Sequence, residues 1–227
     1  MRPSRLSPYK YRVLLLALFL LLIAYPILSG PAGSPVLARS LLTAVFLAGG
    51  WVVFVDRRLR LLGVVLGGPA LLGAWTGFAL PEEHGRVVAA AFHLAAAAFH
   101  LFVTVVLLRG VHRERDVSAD VIAAALCGYL LLGVAFGHVY CLIDAAIPGS
   151  FRGLDAEVGE YHTHFRLTYY SFITLTTVGY GDITPARDTA RSLAMAEAVA
   201  GQFYLAVLVA DLVGKRLAQM FAPNAAG

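Results

Sequence analysis

The chain has 227 residues, of which 59% are hydrophobic and 14% charged, against roughly 45–50% and about 25% in soluble domains. That balance cannot cover a water-facing surface, so an ordinary soluble globule is excluded, and a formal net charge of +4 is too small and too scattered to indicate nucleic acid. The two cysteines exclude a disulfide framework; in one helical run, Cys127 and Cys141 would stand roughly 21 Å apart, beyond bridging. The composition is that of an integral membrane protein.

Six apolar stretches are long enough to cross about 30 Å of hydrocarbon as helices: Val13–Ser29, Val36–Val55, Leu59–Leu80, Val87–Leu108, Val121–Ile143 and Ser192–Val213. Turn residues or charges separate the first five, at Gly30-Pro31-Ala32-Gly33, Asp56-Arg57-Arg58, Pro81-Glu82-Glu83 and Arg113-Glu114-Arg115-Asp116. No A-x-A-like site follows the first stretch, so it is read as a retained span and not as a signal peptide. Placing both termini in the cytoplasm puts twelve of the 18 Lys and Arg residues on the inner side, as the positive-inside bias requires. The expected location is the cell membrane, with several passes.

Glycines four apart, at Gly63/Gly67, Gly73/Gly77 and Gly133/Gly137, predict close helix approach in lipid. The fourth span repeats Ala91-Phe92-His93-Leu94 as Ala98-Phe99-His100-Leu101. No longer repeat is present, which disfavours the paired halves of a secondary transporter.

Between the fifth and sixth spans the chemistry changes. Asp144–Thr163 is polar and reads as an outer loop. Phe165–Leu175 is apolar but spans only about 16 Å as a helix, too short to cross. Thr176-Thr177-Val178-Gly179-Tyr180-Gly181-Asp182 follows. Irregular backbone at membrane depth is tolerated only when buried in protein or lining a water-filled path, so this run predicts a re-entrant loop. Gly179 and Gly181 can take positive φ cheaply, which allows the carbonyls of Thr177, Val178, Gly179 and Tyr180 to face one axis. The Thr177 hydroxyl adds a further oxygen at the inner end. Such rows of carbonyl oxygens replace the water shell of a dehydrated monovalent cation, and the negative end of the short helix favours a cation too.

Tyr169-Tyr170-Ser171-Phe172-Ile173-Thr174-Leu175-Thr176-Thr177-Val178-Gly179-Tyr180-Gly181-Asp182-Ile183-Thr184-Pro185 resembles the pore helix and signature filter of tetrameric potassium channels. The resemblance implies K+ coordination by Thr177, Val178, Gly179 and Tyr180, with Thr176, Gly181 and Asp182 supporting the filter and its outer mouth. It extends over roughly Val117–Arg216 and covers the first four spans only by their count and topology. Gly201 falls where many such channels place the hinge of the inner helix, with simple close packing as the competing reading. Gln202, Leu205, Val209 and Val213 follow at helical spacing and would line the cavity. Departures are visible as well. Ile173 stands where some members have a carboxylate, and Tyr169-Tyr170 replace a frequent tryptophan pair. The fourth span contains no Lys or Arg, so the voltage-sensor pattern is absent.

Several residues carry two readings each. His162 and His164, near Asp155, Glu157 and Glu160, belong either to a solvated loop or to a proton-sensing or blocking-ion site. His93 and His100 share a helical face; they are either neutral and hydrogen-bonded between helices or part of a metal site, whose further ligands no spacing identifies. Glu197 and Asp211 lie away from Gln202. The first is placed to brace the pore helix, and the second to pair with Lys215 four residues on.

The expected architecture is therefore an all-α membrane protein of six spans with a re-entrant pore helix and filter loop between the fifth and sixth. Residues 1–115 would form a peripheral four-helix bundle that does not sense voltage, and residues 116–227 the pore domain. A homotetramer embedded in lipid would conduct K+ passively, with no enzyme chemistry and no cofactor besides the permeant ion. The rival readings are a weakly selective cation channel, a subunit of a potassium transporter, and an intramembrane enzyme using His93 and His100.

Overall fold

The computed structural model of the chain describes residues 9–29, 33–54, 57–76, 82–154 and 160–221. Its elements run α1 (Tyr9–Ser29), α2 (Pro35–Phe54), α3 (Arg57–Thr76), α4 (Glu82–Arg113), α5 (Ala119–Ala146), β1 (Phe151–Arg152), α6 (Glu160–Leu175), β2 (Thr184–Pro185) and α7 (Asp188–Phe221). Five of the helices carry stretches long and apolar enough to cross a membrane: Val36–Phe54, Arg57–Thr76, Val87–Arg113, Ala119–Ala146 and Asp188–Phe221. The apolar α1 adds 21 residues ahead of them.

Helices adjacent in sequence pack side by side from α1 to α7, and α1 returns to touch α5 and α6. The first four helices thus form a bundle that leans on the last three through α1 and α4. Small residues set how close the helices come. A Cβ at Gly67 would stand 2.9 Å from the Phe99 ring, and one at Gly73 would stand 2.7 Å from Phe92 Cβ. The seven-residue repeat in α4 accordingly places both phenylalanines against α3 glycines. Gly77 lies outside the described residues. In α5, a Cβ at Gly133 would meet the Phe172 ring at 2.7 Å, and one at Gly137 the Thr168 Cα at 2.9 Å. These two glycines seat α6 directly against α5.

The all-helical fold carries one small addition: β1 and β2 pair antiparallel, Phe151 opposite Pro185 and Arg152 opposite Thr184. The short helix begins at Glu160, with 16 residues instead of eleven. Its polar start is helical because His164, Thr168 and Ser171 recur at i, i+4 and i+7 and bury one polar face. At Ser118 the side chain caps α5 by accepting from Val121 N at 3.3 Å.

Gly137→Ala should destabilise the protein by about 1–3 kcal/mol, because the new methyl meets backbone that cannot rotate away. Gly110→Ala, where nothing lies within 4 Å, should be neutral or slightly stabilising. Thermal melts of the two purified variants in detergent check this; equal midpoints would contradict the close approach of α5 and α6.

Candidate functional site

The end of α6 organises the segment that follows it. A helix leaves its last carbonyls without internal partners, and here amides of the next residues take them. Thr176 N donates to Phe172 O at 3.0 Å, Thr177 N to Thr174 O at 2.9 Å, and Val178 N to Ile173 O at 2.9 Å. Gly179 N shares Ile173 O at 3.3 Å. The amides of this run are thus turned back onto the helix. None of the backbone bonds found among the described residues uses the carbonyls of Thr177–Tyr180 as acceptors.

Handedness alternates along the same run. Thr177, Gly179 and Gly181 have φ of 59°, 57° and 81°, while Val178 and Tyr180 between them do not have positive φ. Thr177 is the one non-glycine residue with positive φ among those described. For a β-branched side chain that conformation is a true outlier and costs about 1–2 kcal/mol. The run is also open to its surroundings: Val178 is 50% and Tyr180 71% exposed in the single chain.

Beyond Tyr180 the segment is clipped to the α5–α6 connection. Ala186 N donates to Ser150 O at 2.7 Å, next to the β1–β2 pair. Arg166 on α6 donates to Gly153 O, and a Cβ at Gly153 would collide with the Asp182 carbonyl. The Asp182 carboxylate interacts with the Tyr169 hydroxyl. Ile173 contributes its backbone oxygen to the run and no carboxylate.

Behind the segment lies a buried polar node joining three helices. Glu197 on α7 is fully buried, and its two carboxyl oxygens accept from Ser171 Oγ on α6 and from the Tyr140 hydroxyl on α5. Ser171 Oγ also lies 2.7 Å from Gly133 O. Tyr140, Tyr170 and Phe151 enclose the node edge to face, with ring centroids 5.0–5.4 Å apart. The brace expected at Glu197 is present. Its partners Tyr140 and Ser171 were not foreseen, because neither departs from the pattern of its own helix.

Gly201 lies inside unbroken α7, where a Cβ would overlap Leu175 O and come within 2.8 Å of Leu175 Cδ1. Leu175 O also accepts from the Tyr129 hydroxyl at 3.2 Å. This glycine is therefore closely packed against the end of α6. Gln202 Nε2 reaches 3.5 Å from Thr177 Oγ1, and Leu205, Val209 and Val213 continue its exposed face along α7. Asp211 pairs with Lys215 at 2.6 Å as anticipated.

Asp155 and Glu157 lie outside the described residues, as do the side chains of Glu160 and His162. His164 is corrected from a solvated loop to the buried interior of α6, 4% exposed. Its neighbours there are His93 and His138.

Comparison with known proteins agrees with this geometry. Residues 124–216 match the family model described as "Ion channel". That stretch is similar to ion channels. Two relatives from Oryza sativa subsp. japonica are potassium channels by name. "Two pore potassium channel c" is 33% identical over 88 residues, 39% of this chain and 17% of the relative. "Two pore potassium channel b" is 38% identical over 86 residues, 37% of this chain and 21% of the relative. The matched stretch thus spans about a fifth of these curated relatives. No solved structure matches the chain closely enough to report. With its apolar helices, the channel-like stretch makes this a multi-pass membrane protein.

Glu197→Ala should lower stability by about 2–3 kcal/mol, since the buried Tyr140 hydroxyl loses its acceptor. Glu197→Gln keeps one acceptor oxygen and should lose about half as much. Denaturation of the assembled protein in detergent measures both. Equal losses would show that shape, and not hydrogen bonding, is what Glu197 supplies.

Proposed function

We propose that this chain forms a homotetrameric, potassium-selective channel that conducts K+ passively. In this reading six helices cross the membrane, α1 to α5 and α7, while α6 enters and returns without crossing. Alternating positive and negative φ turns successive peptide carbonyls to one side, which the two-residue repeat of a strand forbids. That alternation at Thr177, Gly179 and Gly181 is the observation that carries the proposal. With the amides of Thr176, Thr177, Val178 and Gly179 bound to the end of α6, the carbonyls of Thr177, Val178, Gly179 and Tyr180 are available to a dehydrated cation. Thr177 Oγ1 would close the inner end above Gln202.

One chain supplies one wall of such a path. Only 11% of the apolar stretch of α7 is buried, against 56% in α2 and α5, which supports further copies around the exposed 176–182 segment. Both termini are placed in the cytoplasm. The basic residues Lys10, Arg57, Arg58, Arg109 and Arg113 from three helices border one cavity of about 580 Å³, as expected of the inner face. The match to potassium channels by name favours K+ over other cations. A weakly selective cation channel is the second reading, favoured by Ile173, which offers Asp182 no carboxyl partner.

Gly179→Ala decides between these readings and a filter of another kind. A Cβ at φ 57° is disfavoured by about 1–2 kcal/mol in each copy, and the carbonyl row should distort. Potassium over sodium permeability, measured in planar bilayers, should fall towards unity. An assembled variant with wild-type selectivity would end the filter assignment, and a wild type with no potassium preference would favour the weakly selective channel.

Voltage gating by a moving helix is not part of the proposal. Three to four charges per subunit would supply roughly 28–37 kcal/mol per 100 mV across a tetramer, yet Val87–Leu108 holds no Lys or Arg. Arg39 on α2 is buried and adds a fraction at most. Open probability against voltage in symmetric potassium should be shallow. A steep curve abolished by changes in α1–α4 would reverse this conclusion.

A further inference from the structure

Four histidines meet where the bundle touches α5 and α6. His93 and His100 come from α4, His138 from α5 and His164 from α6, and none is more than 5% exposed. Ring centroids lie 4.5 Å apart for His138 and His164, 5.2 Å for His93 and His138, and 5.5 Å for His93 and His164. His100 stacks on His138 at 5.4 Å with an interplanar angle of 10°. Packing alone does not explain this gathering. His138 Nε2, His164 Nε2 and both nitrogens of His100 are buried without a hydrogen-bond partner. A buried polar group left unpaired costs about 1–3 kcal/mol, and those on His138 and His164 call for a common ligand.

We propose that His93, His138 and His164 form a buried site for one late first-row divalent cation, of which Zn2+ is the type. Each can offer one ring nitrogen, and the three atoms lie within 4.8 Å of one another. Tetrahedral zinc bonded at about 2.0–2.1 Å needs its nitrogens about 3.3 Å apart, so small ring rotations close the set. His93 Nδ1 and His138 Nδ1 now stand at 2.9 Å, and the proton they share would move to Nε2 of the ring that carries it as the metal enters.

Tyr25 strengthens the assignment. Its hydroxyl is 3.0 Å from His164 Nδ1, which fixes the ring and leaves Nε2 as the ligand atom. A metal-bound histidine is normally held by such a contact on its other nitrogen. The chemistry of the donors selects the ion. Three imidazoles with no carboxylate suit Zn2+, Cu2+ or Ni2+ and disfavour Mg2+ and Ca2+. Water or hydroxide takes the fourth position, and His100 stacks outside the set. The site pins α6 to the peripheral bundle two turns before Ser171, the residue that bonds Glu197.

The test uses the full-length protein purified in detergent, stripped with a chelator, loaded with Zn2+ and desalted. Elemental analysis should find one zinc per chain. Co2+ in its place should give the intense visible bands of four-coordinate cobalt. His93→Gln, His138→Gln and His164→Gln should each weaken Zn2+ binding by more than about tenfold, and Tyr25→Phe by about tenfold. His112→Gln, at an exposed histidine, should leave it unchanged. Retention of zinc by fewer than one chain in ten, as for a cluster holding only water, would overturn the site. So would cobalt bands of six-coordinate type, or equal zinc affinity in wild type and the three ligand variants. Should those variants fail to assemble, the zinc content and cobalt spectrum of the wild type decide alone.

Discussion

The last turn of α6 is the anchor on which the rest of the C-terminal half depends. Its carbonyls hold the amides of Thr176, Thr177, Val178 and Gly179, and this is what allows the following backbone to keep an otherwise unfavourable handedness. Thr177 alone carries about 1–2 kcal/mol of conformational cost, so the helix end must stay where it is. Leu175 O is fixed from two sides, by the Tyr129 hydroxyl and by α7 approaching at Gly201. A side chain at Gly201 would push α7 off that helix end. In the proposed channel, the same displacement would reach Gln202 beneath Thr177.

Polar nodes hold α6 at two levels along one face. Glu197 ties Ser171 and Tyr140 together behind the 176–182 segment, and the histidine cluster ties His164 to α4 and α5. Between them the helix rests on Gly133 and Gly137, where van der Waals contact replaces hydrogen bonding. In a low-dielectric interior, satisfied polar networks rigidify and specify geometry more than apolar packing does. A short helix with an apolar second half could slide along α5. Hydrogen bonds at defined registers prevent that.

A third linkage lies at the far end of α7. Lys215 Nζ donates to Val111 O at 2.9 Å and His112 O at 3.2 Å, in the last turn of α4, while pairing with Asp211. A cation at a helix C-terminus is favoured by the helix dipole. Gln219 adds a bond to Asp116 at 2.9 Å. The bundle therefore touches the C-terminal half at both ends, through the histidines at one and Lys215 at the other. Movement of α7 in a gating step would have to break or carry the second contact.

Much of this architecture was legible in the chain itself. Apolar length and charged breaks locate the long helices, because hydrocarbon thickness imposes the same demand on any sequence. The 176–182 motif is readable because its backbone needs glycine at Gly179 and Gly181, so geometry leaves a mark on residue identity. The Asp211–Lys215 pair follows from helical spacing alone. Other features belong to the tertiary structure. His164 looked solvated because polar residues before an apolar run resemble a loop, until α1, α4 and α5 supply a buried polar surface for that face. His93 and His100 showed a shared face but not His138, 45 residues away from His93. Tyr140 and Glu197 are 57 apart. Periodicity states which residues share a face. Which faces then meet is decided by packing all seven helices at once, and no local pattern records that choice.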